Sequence, residues 1–123
     1  MTFKRQKFGK QGEEAAVSFL KKKGYRILQK NFRCPLGEID IIAEHHRAVV
    51  FVEVKSRTGE EVGHPVEAIT AFKRNKISRV AQVFSSRHNL QNRDLRFDVV
   101  TVAGDPGSPE TWEVEVIKDA FRM

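Results

Sequence analysis

Two short runs rich in β-branched residues, Glu38 to Ala43 and Ala48 to Lys55, flank the polar triplet His45-His46-Arg47. Runs of this length and composition read as strands, and a polar interruption of this size fits a hairpin turn that lays them about 5 Å apart. Ile41, Ile42, Val50 and Val52 leave neither run a consistently polar face, so the sheet is expected to be covered on both sides. Charged residues inside such runs stand out. Asp40 interrupts the first run, and Glu53-Val54-Lys55 closes the second.

Residues two apart on a strand share a face. Asp40 is therefore expected beside Glu38 and Ile42, and Glu53 beside Lys55. A register that brings Asp40 near Glu53 joins two carboxylates that repel when ionised and need a cation, a shared proton or an ammonium between them. Mg²⁺ favours one or two carboxylates together with water and phosphate oxygens, which suits this pair. Lys55 is placed to orient an attacking water or to stabilise charge developing on a phosphate. The competing reading is a surface ion-pair cluster, against which the flanking apolar runs weigh.

With 123 residues the chain reads as one domain spanning 1–123, large enough for a core without disulfides. Its single cysteine, Cys34, can form no internal disulfide, and a reducing cytoplasm is the expected compartment. His45, His46, His64 and His88 lack metal-binding spacing, so no histidine metal site is expected. The basic amino terminus runs into Gln11-Gly12-Glu13-Glu14 rather than an apolar stretch, unlike a signal peptide. The longest apolar run, Ala48 to Val52, is far short of the roughly 20 residues of a membrane span. A net charge of +6 favours attraction to a polyanion.

Apolar residues at Ala15, Ala16, Phe19 and Leu20 predict a helix over Gly12 to Lys23, with Glu13 and Glu14 in its first turn and Gly24 as its stop. Tyr25 to Phe32 reads as an irregular first strand, ended by the turn Cys34-Pro35-Leu36-Gly37. Ser56 to His64 reads as a loop. From Pro65 a second amphipathic helix follows through Val66, Ile69, Phe72, Ile77, Val80, Ala81 and Phe84, with Lys73, Arg74, Lys76 and Arg79 on its other side. Leu95 to Val102 and Trp112 to Ile117 make two further strands around the turn-rich 104–109. Arg96 and Asp98 alternate on one strand face and read as a buried structural pair. Trp112 and the phenylalanines, not interleaved with basic residues, are assigned to the core. The order is helix, three strands, helix, two strands, an α/β layer structure of sequential antiparallel strands with helices on its faces.

Gly12-Glu13-x-x-Ala16, Gly24-Tyr25, Asn31-x-Arg33, Gly37-Glu38-Ile39-Asp40-Ile41-Ile42-Ala43, Phe51-Val52-Glu53-Val54-Lys55-x-Arg57, Lys73 and Arg96-Phe97-Asp98 together resemble the YraN family, uncharacterised protein family 0102. That family is similar in fold to Holliday-junction resolvases within the PD-(D/E)xK nuclease superfamily. The resemblance runs from about Gly9 to Val102 and implies a restriction-endonuclease-like α/β core, a mixed sheet flanked by helices. It implies that Asp40 and Glu53 ligate a divalent metal, Mg²⁺ or Mn²⁺, and that Lys55 serves the attacking water. Glu13 matches the additional helix carboxylate of the resolvase branch and joins the implied ligand set. Ile39 stands where the superfamily signature has proline, a departure that leaves the aspartate ligand in place.

The expected activity is thus metal-dependent hydrolysis of phosphodiester bonds in structured or branched DNA, with Asp40, Glu53 and Lys55 catalytic. Arg57, Lys73, Lys76 and Arg79 are the expected nucleic-acid contacts, and paired nicks at a junction imply a homodimer. The rival expectation is a nucleic-acid-binding protein of the same fold with little or no nuclease activity; a third is a partner-binding module with no nucleic-acid affinity.

Overall fold

A computed structural model describes residues 3–57 and 70–122, with side chains from residue 9 onward. The chain runs as helix α1 (Phe3–Lys22), strands β1 (Arg26–Cys34), β2 (Gly37–His45) and β3 (Ala48–Arg57), helix α2 (Ala71–Arg87), then strands β4 (Leu95–Ala103) and β5 (Glu113–Phe121). A one-turn 3-10 helix, Pro109–Thr111, precedes β5. The five strands lie in sequence order in one sheet. β1–β2, β2–β3 and β4–β5 are antiparallel, whereas β3–β4 is parallel. The sheet is therefore mixed, not antiparallel throughout, because the connection containing α2 returns the chain to the end of the sheet from which β3 started.

Two cores cover the two faces. Ile77, Val80, Ala81 and Phe84 of α2 pack on Phe32, Ile39, Ile42, Val49, Phe51, Phe97 and Val99. Ala16 and Leu20 of α1 pack on Ile41, Ala43, Val50, Val52, Val100 and Val102. Every residue from Ala48 to Val52 is buried, as expected of a central strand with helices above and below.

Several elements run further than apolar spacing indicates. α1 extends back to Phe3, since the basic segment before Gly12 continues the helix without presenting an apolar stripe. Ser56 and Arg57 belong to β3, where they pair with Val102 and Ala103, rather than to a loop; the remainder of the expected loop, 58–64, lies outside the described residues. Thr70 caps α2 by accepting from the Lys73 N–H at 3.2 Å. The expected helical stretch from Pro65 to Ile69 lies outside the described residues. Phe72, expected on the apolar face, is 76% exposed because it sits in the first turn, beyond the reach of the sheet. Trp112 is half-buried at the edge of the α1-side core and donates its Nε1–H to the Asp105 carbonyl at 2.6 Å.

The β2–β3 turn is shorter than expected. His45 is buried within β2, and the turn is His46-Arg47 alone, both residues at positive φ (49° and 70°), the conformation of a two-residue hairpin that matches strand twist. Arg96 and Asp98 do pair, with Asp98 buried and Arg96 half-buried. Asp98, 0% exposed, receives the Arg96 guanidinium at 2.8–2.9 Å, the Tyr25 hydroxyl at 2.6 Å and the Asp119 N–H at 3.0 Å. Removing it strands a guanidinium, so Asp98→Ala is expected to cost about 3–5 kcal/mol in urea denaturation. Arg33→Ala, which breaks only an exposed pair with Glu38, is expected to cost less than about 1 kcal/mol.

Candidate active site

The β2–β3 ladder ends at the pair Ile41 and Val52. Continued one step, its register sets Asp40 opposite Glu53, the neighbourhood expected from the hairpin. The strands instead part here, and the Asp40 carboxylate takes the ladder's place by accepting the Val54 N–H at 2.8 Å. Side-chain alternation also breaks at this point. Ile39 packs on the α2 side with Phe32, while Ile41 packs on the α1 side. On β1, Asn31, which falls opposite Asp40 between the pairs Lys30–Ile41 and Phe32–Ile39, has a φ of 54°. The expectation that Asp40 simply shares a face with Glu38 and Ile42 is therefore corrected. Asp40 lies where the strands fork and reaches groups on both sides of the sheet.

On one side is Glu13 of α1, on the other Glu53 of β3, and each lies near enough to the Asp40 carboxyl to shift its proton affinity. The helix can bring Glu13 this close because its neighbour Gly12 lies against Ser56; a Cβ at Gly12 would collide with the Ser56 hydroxyl. Glu53 and Lys55, on the α2 face of β3, feel the charge of Lys73 from α2. Gly37 lets that helix approach β2. Its φ of 147° is open to glycine, and a Cβ there would lie 3.3 Å from Lys76 Cε and Val80 Cγ2. Between these elements opens a cavity of about 430 Å³ lined by residues that include Arg33, Glu38, Glu53, Lys73 and Lys76.

Burial and mutual repulsion shape the charges. The Glu53 carboxyl is pushed up to about 8, first by burial and then by the Asp40 charge, with Lys55 and Lys73 pulling the other way. Glu13 is pushed up to about 7 by burial, then by Asp40 and Glu38, against the pull of Arg33. Asp40 is raised by burial, opposed by its hydrogen bonds from Val54, Glu53 and Glu13. Lys55 is lowered by burial and by Lys73, against the pull of Glu53 and Asp40.

Of the residues singled out from sequence, Glu13, Asp40, Glu53, Lys55 and Lys73 meet here, and Lys76 lines the cavity. Arg79 is exposed on α2 and is not among the cavity's lining residues; Arg57 is half-buried at the end of β3. Glu38, not expected as a ligand, pairs with Arg33 at 2.7 Å. Arg33 and Cys34 line the cavity without having been singled out as site residues. Their signal is the adjoining turn, which carries the end of β1 round to Glu38.

Among the described residues no group of three or more His, Cys, Asp or Glu side chains is arranged to hold a metal ion. The donor set is nonetheless of the hard oxygen type that Mg²⁺ and Mn²⁺ take. Burial raises these carboxyls first, and the charge of neighbouring carboxylates adds to it. A cation here would replace protons.

The fold and site define a class: a mixed-sheet α/β protein with a buried aspartate, two half-buried glutamates and lysines at a strand fork. The family model described as "Uncharacterised protein family UPF0102" matches residues 12–102. The chain is 48% identical over 117 residues to a UPF0102 protein of Caldicellulosiruptor saccharolyticus, covering 95% of this chain and 98% of that one. It is 44% identical over 121 residues to a UPF0102 protein of Moorella thermoacetica, covering 98% and 100%. The chain belongs to the UPF0102 family, as the resemblance of its motifs implies. Among the described residues no helix is long and apolar enough to cross a membrane.

Glu13 and Glu53 titrate well above the ordinary 4.5, so the folded state holds protons that the unfolded chain has released. Their stabilising contribution is complete below pH 4.5 and is lost as pH rises through about 7 and 8. The thermal midpoint of the metal-free protein is expected to fall across that window, and Glu53→Gln to flatten the fall. Calorimetric titration with Mn²⁺ in buffers of differing ionisation enthalpy is expected to show proton release and an affinity that weakens on acidification.

Proposed function

We propose that the chain is a divalent-metal-dependent phosphodiester hydrolase acting on structured or branched DNA. The observation that carries this reading is the buried Asp40 carboxylate at the strand fork, bonded to the Val54 N–H, with Glu53 at the next register step and Glu13, Lys55 and Lys73 close to the pair. That cluster lies next to a cavity whose lining includes Lys73 and Lys76. Asp40 and Glu53 would hold the cation, with Glu13 as a further or water-mediated donor. When bound, Mg²⁺ or Mn²⁺ supplies charge neutralisation at the phosphate and a lowered pKa for a bound water. Lys55 positions the attacking water and stabilises charge developing on the phosphate. Lys73 and Lys76 contact flanking phosphates, with Arg57 and Arg79 further along the strand end and helix. Paired nicks in a branched substrate call for a homodimer.

One observation favours a second reading, a nucleic-acid-binding protein of this fold without turnover: the carboxyls are bonded to one another and not splayed around a cation position.

Cleavage of duplex, flapped and four-way DNA with Mg²⁺ or Mn²⁺ separates the two. Turnover is expected to vanish with chelator and to fall about 100-fold or more in both Asp40→Asn and Lys55→Ala. Full metal-dependent cleavage by these variants would refute the mechanism. Salt-sensitive binding indifferent to Asp40→Asn, with no strand breaks in either metal, would establish the second reading.

A further inference from the structure

The β2–β3 hairpin tip, six residues from Asp40, lies about 20 Å along the strand from it, given the rise of a β-strand. Three rings pile up there. Tyr25 and His45 stack with centroids 4.0 Å apart and planes at 10°, and His45 and His46 stack at 3.9 Å and 17°. The lower two rings are buried and held by hydrogen bonds. Tyr25 donates to Asp98 at 2.6 Å, and Arg96 lies 2.9 Å from His45 Nδ1. His46 caps the pile and is exposed.

The turn that presents His46 uses two non-glycine residues at positive φ, where Asn-Gly is the favoured sequence. The chain accepts that conformation and gains an aromatic face and the exposed Arg47 at the tip. Beside the rings is a second cavity, of about 480 Å³, whose lining includes Arg26, Glu44, His46, Arg47 and Arg93. Glu44 is ion-paired to Arg26 at 3.2 Å and to Arg93 at 2.6 Å, so the surroundings stay net positive.

We infer that the hairpin tip is a second nucleic-acid subsite, at which an unpaired nucleobase stacks on His46 and the adjoining phosphate meets Arg47 and Arg26. The subsite rests on the proposed function for its ligand class and deepens it, because a flat ring offered to solvent takes a base already out of its duplex. Every base has a π-face, so the contact is tolerant of sequence. A pile fixed from below loses little freedom when the base arrives. At 3.4 Å per step, the tip stands about six duplex steps from the carboxylates, fitting a substrate with paired and unpaired segments.

The test uses full-length protein at pH 7.5 and low salt with oligonucleotides carrying 2-aminopurine in an unpaired segment, read by its quenching on stacking. The ring is removed by His46→Asn, since asparagine tolerates positive φ and keeps the turn, and restored in kind by His46→Phe. His46→Asn is expected to abolish the quenching and to lower single-strand affinity about tenfold relative to blunt duplex, the scale of one base–aromatic stack. His46→Phe is expected to retain both, and Arg47→Ala to weaken binding while the quenching persists at saturation. Unchanged single-strand affinity in His46→Asn, or equal losses on single strand and duplex, would overturn the subsite while leaving the hydrolase reading untouched. His46-dependent strand binding without metal-dependent cleavage would remove the hydrolase reading alone. Failure of the unaltered protein to bind any of these oligonucleotides would overturn both.

Discussion

The hydrogen bond from the Val54 N–H to the Asp40 carboxylate is the constraint around which the site is arranged. A central strand pair normally satisfies its backbone groups through the ladder. Where β2 and β3 part, Asp40 supplies the missing acceptor, and its negative charge is fixed in a place that is 9% exposed. Glu13 then approaches from the α1 side and Glu53 from the α2 side. Burial and the nearness of the other carboxylates raise the proton affinity of all three.

The two helices complete this arrangement from opposite faces. α1 brings Glu13 because Gly12 allows contact with Ser56, and α2 brings Lys73 and Lys76 because Gly37 permits a close crossing over β2. The cores that anchor the helices are separate, one centred on Phe51 and Phe84 and the other on Leu20 and Val50. Glu13 is thus held from the α1 side, whereas Lys73 and Lys76 reach Glu53 from the α2 side. The Asp98 network with Tyr25, His45 and Arg96 performs a comparable fixing task near the hairpin end, for rings rather than for acids.

Much of this is legible in the chain. The apolar runs around Asp40 and Glu53 mark central strands, and the polar triplet between them marks the hairpin that makes the two acids neighbours. Motif resemblance, not periodicity, marks Glu13, because a first-turn glutamate has an ordinary explanation in the helix dipole. What was not legible comes from backbone conformation. Strand parity assumes regular alternation, and the left-handed Asn31 and the change of face between Ile39 and Ile41 violate it. Likewise His46-Arg47 contains no glycine to announce a two-residue turn, so His45 reads as turn although it is a buried strand residue. The parallel pairing of β3 with β4 depends on where α2 returns the chain, which no local pattern encodes.

In the proposed function Asp40 and Glu53 together form the cation site. Anomalous scattering from a crystal soaked in Mn²⁺ above pH 8, where Glu53 has largely ionised, tests it most directly. The prediction is a single strong peak about 2.0–2.2 Å from carboxylate oxygens of both residues, absent in Asp40→Asn. A map without Mn²⁺ at that position, or with the ion bound only at surface carboxylates, would contradict the claim.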